Sequence, residues 1–302
     1  MIARTQISPN GPELSSIAYG TWRLMSDGAS AQEINRRLNL CLELGLTTID
    51  AAEIYGGYRV EALLGEALGL SPGLMDKLEI ITKAGIYIPN AAQPERRVAM
   101  YDAGADRIAA SVDASLRHMG LDSLDLFLVH RPDWLTSIDD TASGLDGILA
   151  SGKAKSVGVS NYSASQFEAL NDRMDGRLVT NQVEFSLLHM DPIFDGTFDQ
   201  CQRLSLKPYA WSPLGGGQLF SPDDPMSQRL QAEAAVLSEK YGGATLDQLA
   251  FAWVMAHPSG PVPVIGTNRD GRIRDAAAAA GIKLDRQDWY ALWTAAKGHG
   301  IP

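Results

Sequence analysis

The stretch GLTTIDAAEIYGGYRVEALLGEAL, residues 45–68, holds in one place the pattern that repeats along the whole chain. A short apolar, β-branched run, LTTID (46–50), ends on a charged residue, Asp50; a short step leads to Tyr55, and a longer helical pattern follows. Alternation of this kind argues for parallel strands joined by helical crossovers. Eight such runs can be counted, near 16–19, 47–50, 80–83, 125–130, 156–160, 179–184, 207–211 and 262–265. Eight strand–helix units match the α/β class and the closed (β/α)8, or TIM, barrel, whose active site is built at the C-terminal ends of the strands. The whole chain, 1–302, then reads as one domain.

The intervening helices carry start and stop signals. Ser30 with Glu33, Ser163 with Gln166 and Thr245 with Gln248 each read as a capping box, while Pro258 and Gly281 lie where helices should end. The two long connections, 84–104 and 214–228, read as lid loops over the rim.

Composition narrows the class. The chain is 45% hydrophobic and 21% charged, ordinary for a globular protein with a large core. A net charge of −10 leaves no broad basic surface, so nucleic acid is not expected as a partner and any anionic ligand must be held by a local cluster. The opening MIARTQISPNG (1–11) lacks a signal-peptide core and no apolar run approaches a membrane span, so the expected address is the cytoplasm. Cys41 and Cys201, the two cysteines, read as reduced structural thiols within helical patterns. No metal site is expected: the five histidines show no HExxH spacing.

Asp50, Tyr55, Lys83 and His130 each sit at or just past the end of an apolar run, in LTTID and the step beyond it, LEIITK (78–83) and LDLFLVH (124–130). Taken singly, the aspartate could cap a helix, the tyrosine pack, the lysine be solvated and the histidine sit satisfied in the core. As a set they converge on one rim, where a strand entering a barrel core has no structural need for a charged final residue. A free phenol has a pKa of about 10 and is a reluctant acid. An ammonium ~4 Å away, at an effective dielectric of ~20, stabilises the phenolate by about 4 kcal/mol, so Lys83 is expected to tune Tyr55 toward neutrality. Asp50 is placed to keep the lysine charged, and His130 to hold a substrate oxygen.

These residues resemble the aldo-keto reductase superfamily, in a likeness that runs from about residue 20 to 280. The resemblance implies that Tyr55, Asp50, Lys83 and His130 are the catalytic set and that the cofactor is NADPH. VGVSNYSASQF (157–167) matches the segment whose Ser160 and Asn161 would hold the nicotinamide carboxamide, and NQVEFS (181–186) places Gln182 at a third contact. In YAWSPLGGG (209–217), Trp211 falls where an aromatic ring stacks on the nicotinamide, and Ser212, Pro213, Leu214 and Gly215 would follow the pyrophosphate. AYGTWRL (18–24) puts Gly20, Thr21 and Trp22 beside the cofactor and the mouth of the substrate pocket. VIGTNRDGRIRDA (264–276) reads as the clamp on the 2'-phosphate, through Gly266, Thr267, Asn268 and Arg272. One departure stands out: Gly266 replaces a lysine common among relatives, which weakens the case for NADPH over NADH unless Asn268 or Arg269 compensates.

The expected reaction is hydride transfer from reduced nicotinamide to an aldehyde or ketone carbon, with Tyr55 protonating the oxygen. Sugar or alcohol oxidation with NADP+, an aldolase using Lys83 as a Schiff base, and a cofactor-binding regulatory barrel with little turnover are the alternatives. The absence of GxGxxG after a strand argues against a Rossmann-type dehydrogenase. Substrate is expected to meet Trp22, Tyr55, His130 and Trp134, with Tyr87, Phe185, Leu187 and Phe220 as further candidate walls and Arg96 and Arg97, in the loop 86–102, as candidate groups for an acidic or sugar-like substrate. Tyr58 is a second candidate phenol. A monomer is the default expectation for assembly.

Overall fold

The computed structural model describes residues 1–90 and 96–301. Two short strands, β1 (Arg4–Gln6) and β2 (Glu13–Ser15), form an antiparallel hairpin ahead of the main sheet. The chain continues through β3 (Ala18–Gly20), α1 (Ala31–Leu44), β4 (Thr48–Asp50), α2 (Val60–Gly69), β5 (Glu79–Ala84), a second hairpin of β6 (Ile86–Tyr87) and β7 (Met100–Tyr101), α3 (Ala105–Met119) and β8 (Leu126–Val129). Then follow α4 (Ile138–Ala150), β9 (Val157–Ser160), α5 (Ala164–Arg173), β10 (Leu178–Glu184), α6 (Thr197–Leu204), β11 (Tyr209–Trp211), α7 (Pro225–Ser238), α8 (Leu246–Met255), β12 (Val262–Ile265), α9 (Asp270–Ala279) and α10 (Arg286–Lys297). Strands β3, β4, β5, β8, β9, β10, β11 and β12 close in that order into a parallel barrel, β12 pairing back onto β3. These are the eight runs read from the sequence.

The helices begin where the sequence signals them. Ser30 and Glu33 close a capping box on α1, Ser163 and Gln166 close one on α5, and Gln248 accepts from the Thr245 N–H at 3.0 Å at the start of α8. The reading missed α7 and α10, which pack on each other beside the eight strand–helix units, and the N-terminal hairpin. That hairpin has a purpose in the packing. Ile7, beside it, and Leu14, within it, join Ala18, Ile81, Leu126, Leu128, Val179, Tyr209, Val262 and Val264 in one buried apolar cluster that fills the barrel base. With the base closed by apolar side chains, polar groups on the strands have only the opposite rim in which to gather.

Two loop expectations change. The 214–228 connection is not a long lid: a tight segment, Gly215–Phe220, leads quickly into α7, which starts at Pro225 under an Asp224 cap. The 84–104 connection contains the β6–β7 hairpin, and its residues 91–95 lie outside the described part of the chain. Tyr58 is committed to that hairpin. Its hydroxyl donates to Ile86 O (3.3 Å) and accepts from Ile88 N (3.0 Å) and Arg96 (3.0 Å).

Candidate active site

Strand periodicity decides which residues share the barrel interior. Ile81 lies in the apolar plug, so Lys83, two residues on, points inward one layer higher, at the rim. Tyr209 and Trp211 are related in the same way on β11. On β10 simple alternation would separate Val179 from Gln182, but the pairing with β9 shifts register between Leu178 and Asn181. That irregularity lets Val179 plug the base while Gln182 faces the rim.

Lys83 is 1% exposed, and its ammonium donates to both carboxylate oxygens of Asp50 (2.9 and 2.9 Å) and to Ala51 O (2.7 Å). Gln182 donates through Nε2 to Asp50 Oδ1 at 2.9 Å. The same ammonium lies 5.1 Å from the centroid of the Tyr55 ring. Trp22 stands edge-on to that ring at 5.0 Å and His130 at 6.1 Å. The four residues read as a set, from the ends of β4, β5 and β8, therefore do lie together.

Their titration departs from expectation at one point. Burial pushes the Tyr55 phenol above its ordinary value; Lys83 pulls it down without overcoming burial, and Asp50 adds to the rise. The phenol is thus held in its neutral form at neutral pH, not tuned toward ionisation there. Burial works against the charge on Lys83, but Asp50 and then Tyr55 outweigh it and the lysine stays charged above its usual range. His130 is held well below its ordinary value by burial, then by Lys83 and Arg131, so its ring is neutral and can hydrogen-bond an oxygen without carrying charge. A lysine so fully engaged offers no free amine to a Schiff base.

Above this floor a cavity of about 790 Å³ opens, large enough for an elongated ligand. Gly20, Trp22, Asp50, Tyr55 and His130 line one end; Ser160, Asn161, Gln182 and Trp211 line the middle. Ser212, Pro213, Leu214, Gly266, Thr267, Asn268 and Arg272 continue the wall to the far end. Asn161, in a left-handed conformation at φ 61°, ties three strand ends together. It accepts from Trp211 Nε1 (2.9 Å) and donates to His130 O (3.1 Å) and Ser160 Oγ (2.8 Å). Arg272 lies over the Phe220 ring, 5.8 Å from its centroid.

Several expected residues are elsewhere. Thr21 is buried with its hydroxyl on Asp50 O (3.0 Å), and the cavity wall runs through Gly216 rather than Gly215. Trp134 is 80% exposed, edge-on to Tyr101, and off the wall. Phe185 and Leu187 are core residues: past β10 the chain turns back at the Ser186–His189 bridge, and Phe185 packs against Phe198 (4.7 Å) and Trp253 (5.1 Å). Tyr87 is clasped between Arg96 (4.1 Å) and Arg107 (4.3 Å), so Arg96 is spent on the hairpin.

Two cations of the wall escaped the reading although each follows a motif directly. Arg23, next to Trp22, donates to Gly216 O (2.8 Å) and Gly266 O (3.3 Å) and so bridges two loops across the cleft. Its Nη1 is 3.6 Å from where a side chain on residue 266 would begin, so positive charge stands beside Gly266 after all. Arg131, next to His130, also lines the cavity. Among the described residues, no group of three or more His, Cys, Asp or Glu could hold a metal ion, and no helix is long and apolar enough to cross a membrane.

Comparison with known proteins places this geometry. Residues 16–296 match the sequence model of the Aldo/keto reductase family. The chain is 42% identical over 302 residues to the oxidoreductase YdhF of Escherichia coli, covering all of both chains. It is 46% identical over 290 residues to a 6-dehydroglucose reductase of Agrobacterium fabrum, covering 96% of each. Among solved structures, an aldo/keto reductase of Klebsiella pneumoniae in complex with NADP and acetate superposes with a TM-score of 0.79 at 26% identity, over 95% of this chain and 94% of that one. By sequence and by barrel architecture, the chain belongs to the aldo/keto reductase family.

Proposed function

We propose that this protein is an NADPH-dependent oxidoreductase that reduces an aldehyde or ketone to an alcohol, with Tyr55 as the proton donor. One observation carries the reading: a buried, neutral phenol backed by an ion-paired lysine forms the floor of a cleft whose far end holds arginines. The residues present suit a nicotinamide dinucleotide phosphate. Among the described residues Gln182 keeps its amide oxygen free while Nε2 holds Asp50, Trp211 offers an indole face, and Arg23, Arg269 and Arg272 supply a local positive field in a chain of net charge −10. The Klebsiella relative, solved with NADP, supports the same choice.

When bound, the reduced dinucleotide supplies the hydride. The nicotinamide carboxamide would be held by Ser160, Asn161 and Gln182, and the ring by Trp211. Ser212, Pro213 and Leu214 would follow the pyrophosphate, and Thr267, Asn268, Arg269 and Arg272 the 2'-phosphate. At the carbonyl, Tyr55 hands its proton to the oxygen as negative charge builds there, and His130, neutral, orients that oxygen. Lys83 stabilises the phenolate left behind, and Asp50 keeps Lys83 charged and in place. A phenol that is protonated at neutral pH is in the state from which reduction starts. The relative named 6-dehydroglucose reductase puts oxidised sugars among the first carbonyl compounds to assay.

Tyr55→Phe tests the assignment. Carbonyl-dependent loss of NADPH absorbance should fall by about 10²- to 10⁴-fold, with NADPH affinity by fluorescence titration nearly unchanged. A variant with full turnover would mean that the proton comes from elsewhere.

A further inference from the structure

Arg131 is the residue immediately past His130 at the end of β8, half-buried, and it lines the same cavity as Trp22, Tyr55 and His130. Among the described residues its guanidinium has no hydrogen-bond or ion-pair partner. The nearby carboxylate in sequence, Asp133, is engaged elsewhere: it accepts from Ala103 N (3.2 Å), Leu135 N (2.9 Å) and the Thr136 hydroxyl (2.5 Å). A guanidinium on a cavity wall without a protein partner has its donors turned to water, and an anion arriving in the cavity could take them in charge-assisted hydrogen bonds.

The anion in question is not the cofactor's 2'-phosphate. In the closed strand order, β8 stands four strands from β12 whichever way the barrel is traversed, so Arg131 and the Gly266–Arg272 loop rise from opposite walls. Arg23, which follows β3, and Arg269 and Arg272, which follow β12, are neighbours on that far side. The cavity therefore has cationic residues on two opposite walls, and Arg131 is the one that adjoins the imidazole of His130.

We propose that Arg131 is a specificity-determining residue of the substrate pocket, and that it selects carbonyl compounds bearing a carboxylate or similar oxyanion a short chain away from the reacting carbonyl. This rests on Tyr55 and His130 marking the reacting end of the cavity. A planar guanidinium fork meets a carboxylate through two parallel hydrogen bonds, which fixes the orientation of the substrate as well as its charge. A purely neutral substrate would leave the cation unmatched.

Succinic semialdehyde and butanal share a carbon skeleton length and differ at the far end, so kcat/KM for the two with NADPH reads the effect directly. Wild type should prefer the anionic aldehyde. Arg131→Ala should shrink that preference by about ten- to a hundred-fold, chiefly through KM, and Arg131→Lys should recover part of it because charge is kept while the fork is lost. Absence of a preference in wild type, an equal loss for both aldehydes, or an equal weakening of NADPH binding would overturn the proposal. Should neither aldehyde turn over, succinate binding to the protein–NADP+ complex, followed by tryptophan fluorescence, decides it independently of the reaction. Binding lost in Arg131→Ala supports the site even if the proposed reaction fails; binding absent or indifferent to Arg131 sinks it.

Discussion

At the position of Tyr55, two large effects of opposite sign meet. Coulomb attraction from Lys83 favours the phenolate, and burial disfavours it; burial wins, and the phenol stays protonated well past neutrality. The sign sets the pH dependence. A donor whose pKa is raised above about 10 remains loaded from about pH 7 to 9, so the reductive rate should be flat there and fall only in strong alkali. His130, whose pKa is lowered, stays neutral over that range and adds no break of its own. A bell centred near neutrality in a pH–rate profile would contradict this account. Lys83→Met removes the ammonium and leaves Asp50 buried without its cation. Turnover should drop by about 10²-fold or more, and chemical denaturation should show a loss of about 3 to 5 kcal/mol. The residue types of this quartet were legible in the sequence because each stands at or just past the end of an apolar run. The direction of the Tyr55 shift was not, since burial is a property of the packed rim.

The elements follow local rules that single residues announce. Ser163 accepts from Gln166 N at 3.3 Å while the Gln166 side chain accepts from Ser163 N at 3.0 Å, and together they start α5. Ser163→Ala should cost about 1 kcal/mol, read from urea midpoints, with steady-state kinetics unaltered because the cap faces solvent. Helix α10 escaped the reading although its signal was present: Trp289, Leu292, Trp293 and Ala296 fall at helical spacing and turn inward toward α7. The register shift in β10 had no such signal. Val179 and Gln182 face inward at incompatible spacing for a regular strand, and only the pairing with β9 shows where the extra residue is absorbed.

For the whole molecule, a net charge of −10 would repel a dinucleotide phosphate were it not for Arg23, Arg269 and Arg272 at one end of the cleft. Such a local field is sensitive to salt, whose screening length is about 10 Å at ~0.1 M. Raising ionic strength from about 0.05 to about 0.5 M should weaken NADPH binding severalfold and NADH binding less, because NADH lacks the 2'-phosphate. Equal salt dependence of the two dissociation constants, measured by fluorescence titration, would remove the arginines from that role. The barrel class, the strand count and which polar residues gather at the rim were determined by the sequence alone, because strand and helix periodicities, caps and chain-end chemistry act over a few neighbouring residues. Closure of the sheet decided the rest. It turned Phe185 into core and left Trp134 outside, brought Arg23 beside Gly266 and Arg131 onto the wall of the same cavity as the phenol, and raised the Tyr55 pKa, because distance and dielectric between residues far apart in the chain exist only once the chain has packed.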